Sequence, residues 1–297
     1  FQMLSCKIML SMEKILKNNN EMYTNIHNLE EVVVAAVTKD RYTKEDDEEA
    51  DYSATTLISP VQQTILKERY PDKLMPVDVM DLIASFVGSV VHDAFESAWT
   101  PEMGGWVEKR LYADVLGKRI SGKTDRYKDG EIKDYKSCRA YKITNRKFHE
   151  FELQFNVLAY LCRVNGLEVN KLTATYLILD FDKHGNKKNK NYPEQRMGDI
   201  DIPLWSFDKQ KEYVEGRVRL LTKGESLSDQ ELGTLMLCSD KECWKEIYDW
   251  AVLEEGNDRA KRKFDTEEEA TACLLDKYKD SGYTVQPRYS DPTMCLE

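Results

Sequence analysis

The sequence predicts an α/β fold of the α+β type, a mixed β-sheet flanked by helices, with further helices towards both ends of the chain. Three observations lead there. Residues 106–115, 118–128 and 131–137 alternate with the two-residue period of strands. Leu116-Gly117 and Asp129-Gly130 stand between these runs, where hairpin turns belong, and Asp-Gly is a strong hairpin signal. A long helical run at about 145–165 then leads into another strand-like run, "KLTATYLILDFD", at 171–182. Strand, strand, strand, helix, strand, framed by helices, is the order of an α+β core.

The elements follow in chain order. Phe1-Gln2 read as a tag remnant, and residues 3–297 as a single domain long enough to bury a substantial core. Its parts are a helical N-terminal extension over 3–50, a core over about 53–181, and a mostly helical part over 205–297. Residues 4–40 read as helical and end in the apolar run "EEVVVAAV", which fits either a helix or a strand. The acidic block "KEDDEEAD" (44–51) reads as a solvated loop. In 52–71, Ser59 is the expected N-cap and Pro60 the first helical residue, with Val61, Ile65 and Leu66 at helical spacing. Residues 77–98 form a second expected helix, containing Gly88 and His92. Asn165-Gly166 should stop the long helix. "HGNKKNKNYPEQ" reads as a polar loop whose "KKNKN" (187–191) is solvated. Ser206 should cap a helix over 206–224, and Asp265 or Thr266 the helix that follows.

A net charge of −10 argues against a protein that coats nucleic acid nonspecifically, because phosphate binding wants clustered Lys and Arg. A local basic groove remains compatible with it. No apolar run reaches the length of a membrane span and no signal peptide is visible, so a cytoplasmic protein without a membrane partner is expected. The seven cysteines (6, 138, 162, 238, 243, 273 and 295) are odd in number and contain no CxxC pair, which suits a reducing compartment.

One stretch carries the chemistry, "ISGKTDRYKDGEIKDYKS" (120–137). Alternation puts Asp134 and Lys136 on one face of their strand. If Lys128 and Glu131 flank the turn, Arg126 comes opposite Lys133 and Asp125 opposite Asp134. Directly opposed like charges destabilise a sheet. A divalent cation would compensate, and hard oxygen ligands suit Mg²⁺ or Mn²⁺. Lys136 could then orient a water and stabilise charge developing on a phosphate. The alternative is an exposed hairpin whose charges face water, with Ile120, Tyr127, Ile132 and Tyr135 on the buried face.

The surroundings extend the pattern. Gly122-x-x-Asp125, then Asp134-Tyr135-Lys136-Ser137, then Gln154 on the following helix resembles the PD-(D/E)XK nuclease superfamily. Within it the chain resembles the RecB-like exonuclease branch and its phage-encoded members, through "GSVVHDAF" (88–95), the preceding "SATTLISP", and "EKRL" (108–111). The resemblance runs from about 53 to 181, with a weaker echo in "CSDKECW" and "AKRKFDTEEEA". It implies a restriction-endonuclease-like core and a Mg²⁺-dependent deoxyribonuclease. Asp125, Asp134, the Tyr135 carbonyl and His92 would be metal ligands and Lys136 the catalytic lysine. Gln154 would position Lys136, the metal water or the DNA backbone, and Glu108 would be a further metal-side acid. Ser137, Arg139, Lys142 and Arg146, with Lys147, follow the catalytic strand and would meet DNA. The branch often carries Tyr four residues after Gln; here that position is Leu158, and Tyr160 points elsewhere.

The resemblance further implies an exonuclease of phage-type replication or recombination, acting in a host cytoplasm beside a single-strand-annealing recombination protein. The alternatives are an endonuclease of the same fold or an inactive DNA-binding scaffold, though an inactive member would usually lose Asp125, Asp134 or Lys136. Another metal phosphohydrolase would need more ligands than four scattered histidines supply. Some RecB-like nucleases hold an iron–sulfur cluster. Cys238, Cys243 and Cys295 offer only part of such a site, so buried free thiols are expected instead, with Cys138 a packing residue. Each site residue also has a plain reading. His92 amid Val90, Val91 and Phe95 could be a core histidine, Gln154 could lie on a wet helix face, and Glu108 could belong to a cross-strand ion pair.

Overall fold

A computed structural model describes residues 16–18, 21–39, 50–74, 76–239, 242, 247–257, 259–278 and 282–289. The expected tag remnant, residues 4–15 of the expected N-terminal helix, most of the acidic block, and Cys6, Cys243 and Cys295 lie outside the described residues. The chain opens with strands β1 (Leu16–Asn18) and β2 (Glu21–Thr24), helix α1 (Glu31–Val37), strand β3 (Tyr52–Ser53), and helices α2 (Ala54–Ile58) and α3 (Val61–Arg69). Strand β4 (Val77–Asp78) and helix α4 (Ile83–Ala98) precede three long strands, β5 (Trp106–Val115), β6 (Lys118–Lys128) and β7 (Glu131–Cys138). Then come helices α5 (Ala140–Thr144) and α6 (His149–Val164), strand β8 (Lys171–Ile178), helix α7 (Gly185–Lys188), strand β9 (Met197–Asp201) and helix α8 (Phe207–Ser226). Helix α9 (Asp229–Leu235), strands β10 (Ile247–Glu254) and β11 (Arg262–Phe264), helix α10 (Glu267–Lys277) and strand β12 (Tyr283–Tyr289) follow. Among the described residues, no helix is long and apolar enough to cross a membrane.

These elements form two compact units, residues 1–58 with 67–223, and residues 59–66 with 224–297. The first unit carries a mixed sheet in the order β3-β6-β7-β8-β9, with β5 on the other edge of β6. Strands β5, β6 and β7 run antiparallel as the hairpin turns require. Leu116 and Gly117 (φ 53° and 79°) and Asp129 and Gly130 (φ 48° and 81°) supply the paired positive φ of a two-residue turn whose twist matches the strands. β7 and β8 are parallel, joined over the sheet by α5 and α6, and β9 returns antiparallel to β8. Helix α6 sits directly on β6: a Cβ at Gly122 would stand 2.6 Å from Leu161 and 2.8 Å from Leu158. Phe155, Leu158, Leu161, Ile120, Ile132 and Leu172 fill this core.

The expected helical N-terminal extension is corrected here. β1 and β2 pair antiparallel and β2 pairs parallel with β4, so 16–18 and 21–24 are strands and Val77–Asp78 is not helical. Asp78 accepts hydrogen bonds from Thr24, Ile26 N–H and Met80 N–H, which delays α4 to Ile83. The run "EEVVVAAV" is a helix, and its Val34 and Val37 pack with Tyr23 and Val79. The long helix expected at 145–165 begins later, at His149, after the short α5. Arg146 (φ 50°) breaks the chain direction between them, and Asp180 holds the start of α5 by accepting from Ala140 N–H at 2.7 Å. The strand expected to reach 182 ends at Ile178. Within the polar loop at 184–195, Gly185–Lys188 forms a short helix. A buried polar network, centred on Asn156 bonded to Pro203 O, Trp205 N–H and Gln210, fastens α6 to the segment that enters α8. Ser206 caps α8 through Lys209 N–H.

In the second unit, the Pro60 carbonyl accepts from Thr64 N–H, so the helix begins at Val61, one residue later than expected. Val61 and Ile65 pack at Gly224. A reciprocal Ser228–Glu231 capping box starts α9, and Thr266 caps α10. The mostly helical C-terminal part is also corrected: β10 is the centre of an antiparallel sheet, β11-β10-β12, with Ala251, Val252, Ala270 and Cys273 buried. Asp249 and Arg288 stand opposite each other in its register and form a two-point ion pair, with Arg288 Nε 2.6 Å from Asp249 Oδ1.

Candidate active site

The site begins as a split in the sheet. One edge of β6 pairs with β5 along its length. The other edge is shared: Ile120 and Ser121 pair with β3, while Arg126, Tyr127 and Lys128 pair with β7. Residues 122–125 therefore face an opening between β3 and β7. Asp125 stands at its end, and its Oδ2 accepts a hydrogen bond from Tyr135 N–H at 2.8 Å. A side chain thus replaces the backbone bond that a continued ladder would make.

Asp134 is the next residue across on β7. It is 2% exposed and Asp125 is 7% exposed, so the reading of these charges as a solvated surface hairpin is overturned. Asp134 Oδ2 lies against the Lys136 ammonium as an ion pair but makes no hydrogen bond. Lys136 donates to Gln154 Oε1 on α6 at 2.9 Å and lies near the Phe151 ring. Gln154 is therefore tied to the lysine and is not a solvated helix-face residue.

A second group converges from α4 and β5. His92 Nδ1 is 3.3 Å from Asp125 Oδ2 and 3.7 Å from Glu108 Oε1. The His92 side chain is 31% exposed, so it opens to solvent and is not a core histidine. Gly88, one turn earlier, brings α4 close to β7: a Cβ there would stand 3.1 Å from Ser137 Oγ. Tyr135 packs its ring on Phe95 of α4. Glu108 interrupts the β5–β6 ladder, lying between the pairs Val107–Arg126 and Lys109–Thr124, opposite Asp125. Its φ is 50°, a conformation costly for a non-glycine residue and one that clusters at functional sites. Its carboxylate also contacts the Lys123 ammonium. The cross-strand ion-pair reading of Glu108 holds in part, since Lys123 lies on the neighbouring strand.

The electrostatics follow from this crowding. Burial above all, and then the Asp134 charge, push the Asp125 carboxyl up to about 7, although His92, Lys136 and the Tyr135 N–H pull the other way. Contact with Glu108 raises the His92 imidazole against the effect of burial, and Asp125 and Asp134 add to the rise. Burial works to raise Glu108, but hydrogen bonding to His92 and Lys123 outweighs it and the carboxyl lies below its usual value. Buried carboxylates that repel one another beside an imidazole suit a divalent cation. The ligand atoms of His92, Glu108 and Asp125 lie within 4.8 Å of one another. Asp134 stands on the adjacent strand, its Oδ2 against the Lys136 ammonium.

The fold thus brings His92, Asp125, Asp134, Tyr135, Lys136 and Gln154 together, with Glu108 as a close member. The expected DNA-contacting residues sit beyond the end of β7. Ser137 is half-buried beside Gly88, and Arg139 and Arg146 are exposed. Lys142 is paired with Glu150 at 3.0 Å and lies over the Phe151 ring, and Lys147 lies over the Tyr141 ring. Leu158 is a core residue, and the buried Tyr160 stacks on Phe207, which is itself exposed. Sequence reasoning passed over Lys123, although it lies two residues before Asp125 and so on the same strand face. Among the described residues, Cys138, Cys162, Cys238 and Cys273 form no disulfide, and burial pushes Cys162 up to about 12, leaving it an inert packing group.

No family model matches the chain, and no curated protein matches it. Among solved structures it is similar to SSO0001, with 14% identity and a TM-score of 0.43, over 59% of this chain and 79% of that one. An exonuclease candidate from Eubacterium rectale is 16% identical with a TM-score of 0.32, over 65% of this chain and 78% of that one. A phage-related exonuclease from Haemophilus somnus is 12% identical with a TM-score of 0.38, over 76% and 99%.

Proposed function

We propose that the chain is a metal-dependent deoxyribonuclease that hydrolyses phosphodiester bonds and works as an exonuclease. The observation that carries this reading is the pair of buried carboxylates, Asp125 and Asp134, on adjacent strands, with the Lys136 ammonium held between Asp134 and Gln154. Asp125, Asp134, the Tyr135 carbonyl and His92 would hold Mg²⁺ or Mn²⁺, with Glu108 close by. Such an ion, when bound, polarises the scissile phosphate and supports charge on the leaving oxygen.

The protein's own groups do the rest. Gln154 and Asp134 fix the Lys136 ammonium so that it can orient the attacking water and donate to a phosphate oxygen as negative charge builds. Arg139, Lys142 and Arg146, with Lys147, line the segment after β7, where they would hold the DNA backbone, and Ser137 would contribute a hydroxyl. The resemblance of the motifs to phage-encoded RecB-like exonucleases supports a place in replication or recombination in a host cytoplasm, beside a single-strand-annealing protein.

The test is degradation of labelled single- and double-stranded DNA with Mg²⁺ or Mn²⁺. Cleavage should require the ion, and Lys136→Ala should lower it by about a thousandfold. Cleavage in the presence of a chelator would refute the mechanism. Linear DNA should be consumed from its ends while circular DNA survives; nicking of circles would make the protein an endonuclease.

A further inference from the structure

We propose that the Lys123 ammonium occupies a built-in second cation position, so that the site takes one divalent ion rather than two. This rests on the nuclease reading above. Three carboxylates lie side by side across three strands: Glu108 on β5, Asp125 on β6 and Asp134 on β7. Each outer carboxylate already has an ammonium group. Lys136 contacts Asp134, and Lys123 contacts Glu108. The two lysines are placed alike, one two residues before Asp125 and the other two residues after Asp134, so each shares a strand face with its aspartate. Asp125, in the middle, meets the His92 imidazole and the Tyr135 backbone N–H.

Charge then decides how many ions fit. Three carboxylates against two ammonium groups leave one negative charge, which a single divalent ion overcompensates slightly. A second ion beside Lys123 would bring several positive charges together against Glu108 and Asp125, whose side chains are 12% and 9% exposed, where repulsion is only partly screened. Without Lys123, Glu108 is left to chelate together with Asp125, whose ligand atoms lie within 4.8 Å of each other, and Asp125 becomes a shared carboxylate between two ions, as in two-metal phosphodiesterases. The Lys123 side chain is 37% exposed and that of Glu108 only 12%, so the contact is buried at its carboxylate end.

The test counts ions. Native mass spectrometry and calorimetric titration with Mn²⁺ on the full chain should find one ion per chain in the wild type. Lys123→Met should bind two, Lys123→Arg should return to one, and Lys123→Met combined with Glu108→Gln should also bind one. A merely structural lysine would change the melting temperature of Lys123→Met and leave its ion count at one, which would overturn the proposal. Two ions in the wild type would overturn it as well, and that measurement stands even if Lys123→Met does not fold. The underlying nuclease reading is checked separately by Asp125→Asn, which should lose the ion whatever Lys123 does. Absence of any ion from the wild type would remove both.

Discussion

Two pairs of charged residues face each other across neighbouring strands of this protein, and they are built on opposite principles. In the C-terminal sheet, Asp249 meets Arg288 in register, with two parallel contacts, and hydrogen bonding to that guanidinium holds the Asp249 carboxyl below its usual value. In the larger sheet, Asp125 comes opposite another carboxylate, and burial beside it pushes Asp125 up to about 7. The first pair satisfies itself and asks for nothing. The second is frustrated, is kept in place by the surrounding core, and is relieved only by a proton or a cation. Charges that a fold leaves unsatisfied at such expense mark where a ligand belongs.

The comparison breaks most sharply under substitution. Asp125→Asn removes the repulsion but keeps an acceptor for Tyr135 N–H. It should abolish Mn²⁺-dependent cleavage and raise the stability of the metal-free protein at pH 8 by roughly 1–3 kcal/mol, read from urea midpoints. Arg288→Ala should do the reverse: it should leave cleavage unchanged and lower the melting temperature slightly. A loss of cleavage in Arg288→Ala, with the fold intact, would end the contrast.

The pH dependence sharpens it further. Asp125 has a folded value near 7 against about 3.9 in an unfolded chain, so the folded state binds the extra proton between these values. Its contribution to stability is therefore present at low pH and is lost as pH rises towards 7. Asp249 behaves oppositely: its contribution is present above the unfolded value and is lost as pH falls through its lowered folded value. Mn²⁺ affinity should rise with pH up to about 7, as the Asp125 proton must leave first. Urea melts and Mn²⁺ titrations across pH 4–8 would follow both. A further effect concerns the scaffold alone: Gly122→Ala would push a methyl against Leu158 and Leu161 and should cost about 1–3 kcal/mol.

The two regions also differ in how far the sequence reveals them. The hairpins of the larger sheet were legible because Leu116-Gly117 and Asp129-Gly130 encode their turns locally. Turn length then set the register, and the register brought Asp125 next to Asp134. The C-terminal sheet was missed because β10 finds β12 across the 28 residues from 255 to 282, and no two-residue turn announces the pairing. The same holds for β2 with β4, where Val77 is recruited by Tyr23 far upstream. Within the site, His92 and Gln154 were read from motif spacing. The company of Lys123 with Glu108 was not, because it depends on the β5–β6 register and on the left-handed turn of the backbone at Glu108. The opening between β3 and β7 could not be foreseen either, since it arises from two strands sharing one edge of β6.

The central claim, that the opposed carboxylates exist to hold a divalent cation, is tested most directly by thermal melting of the wild type and Asp125→Asn over a Mn²⁺ titration at pH 8. An ion that binds only the folded chain stabilises it by about 2.7 kcal/mol at a hundredfold excess over Kd. The wild-type melting temperature should therefore climb with Mn²⁺, while that of Asp125→Asn, higher at the start, should stay level. An equal climb in both proteins, or none in the wild type, would contradict the account.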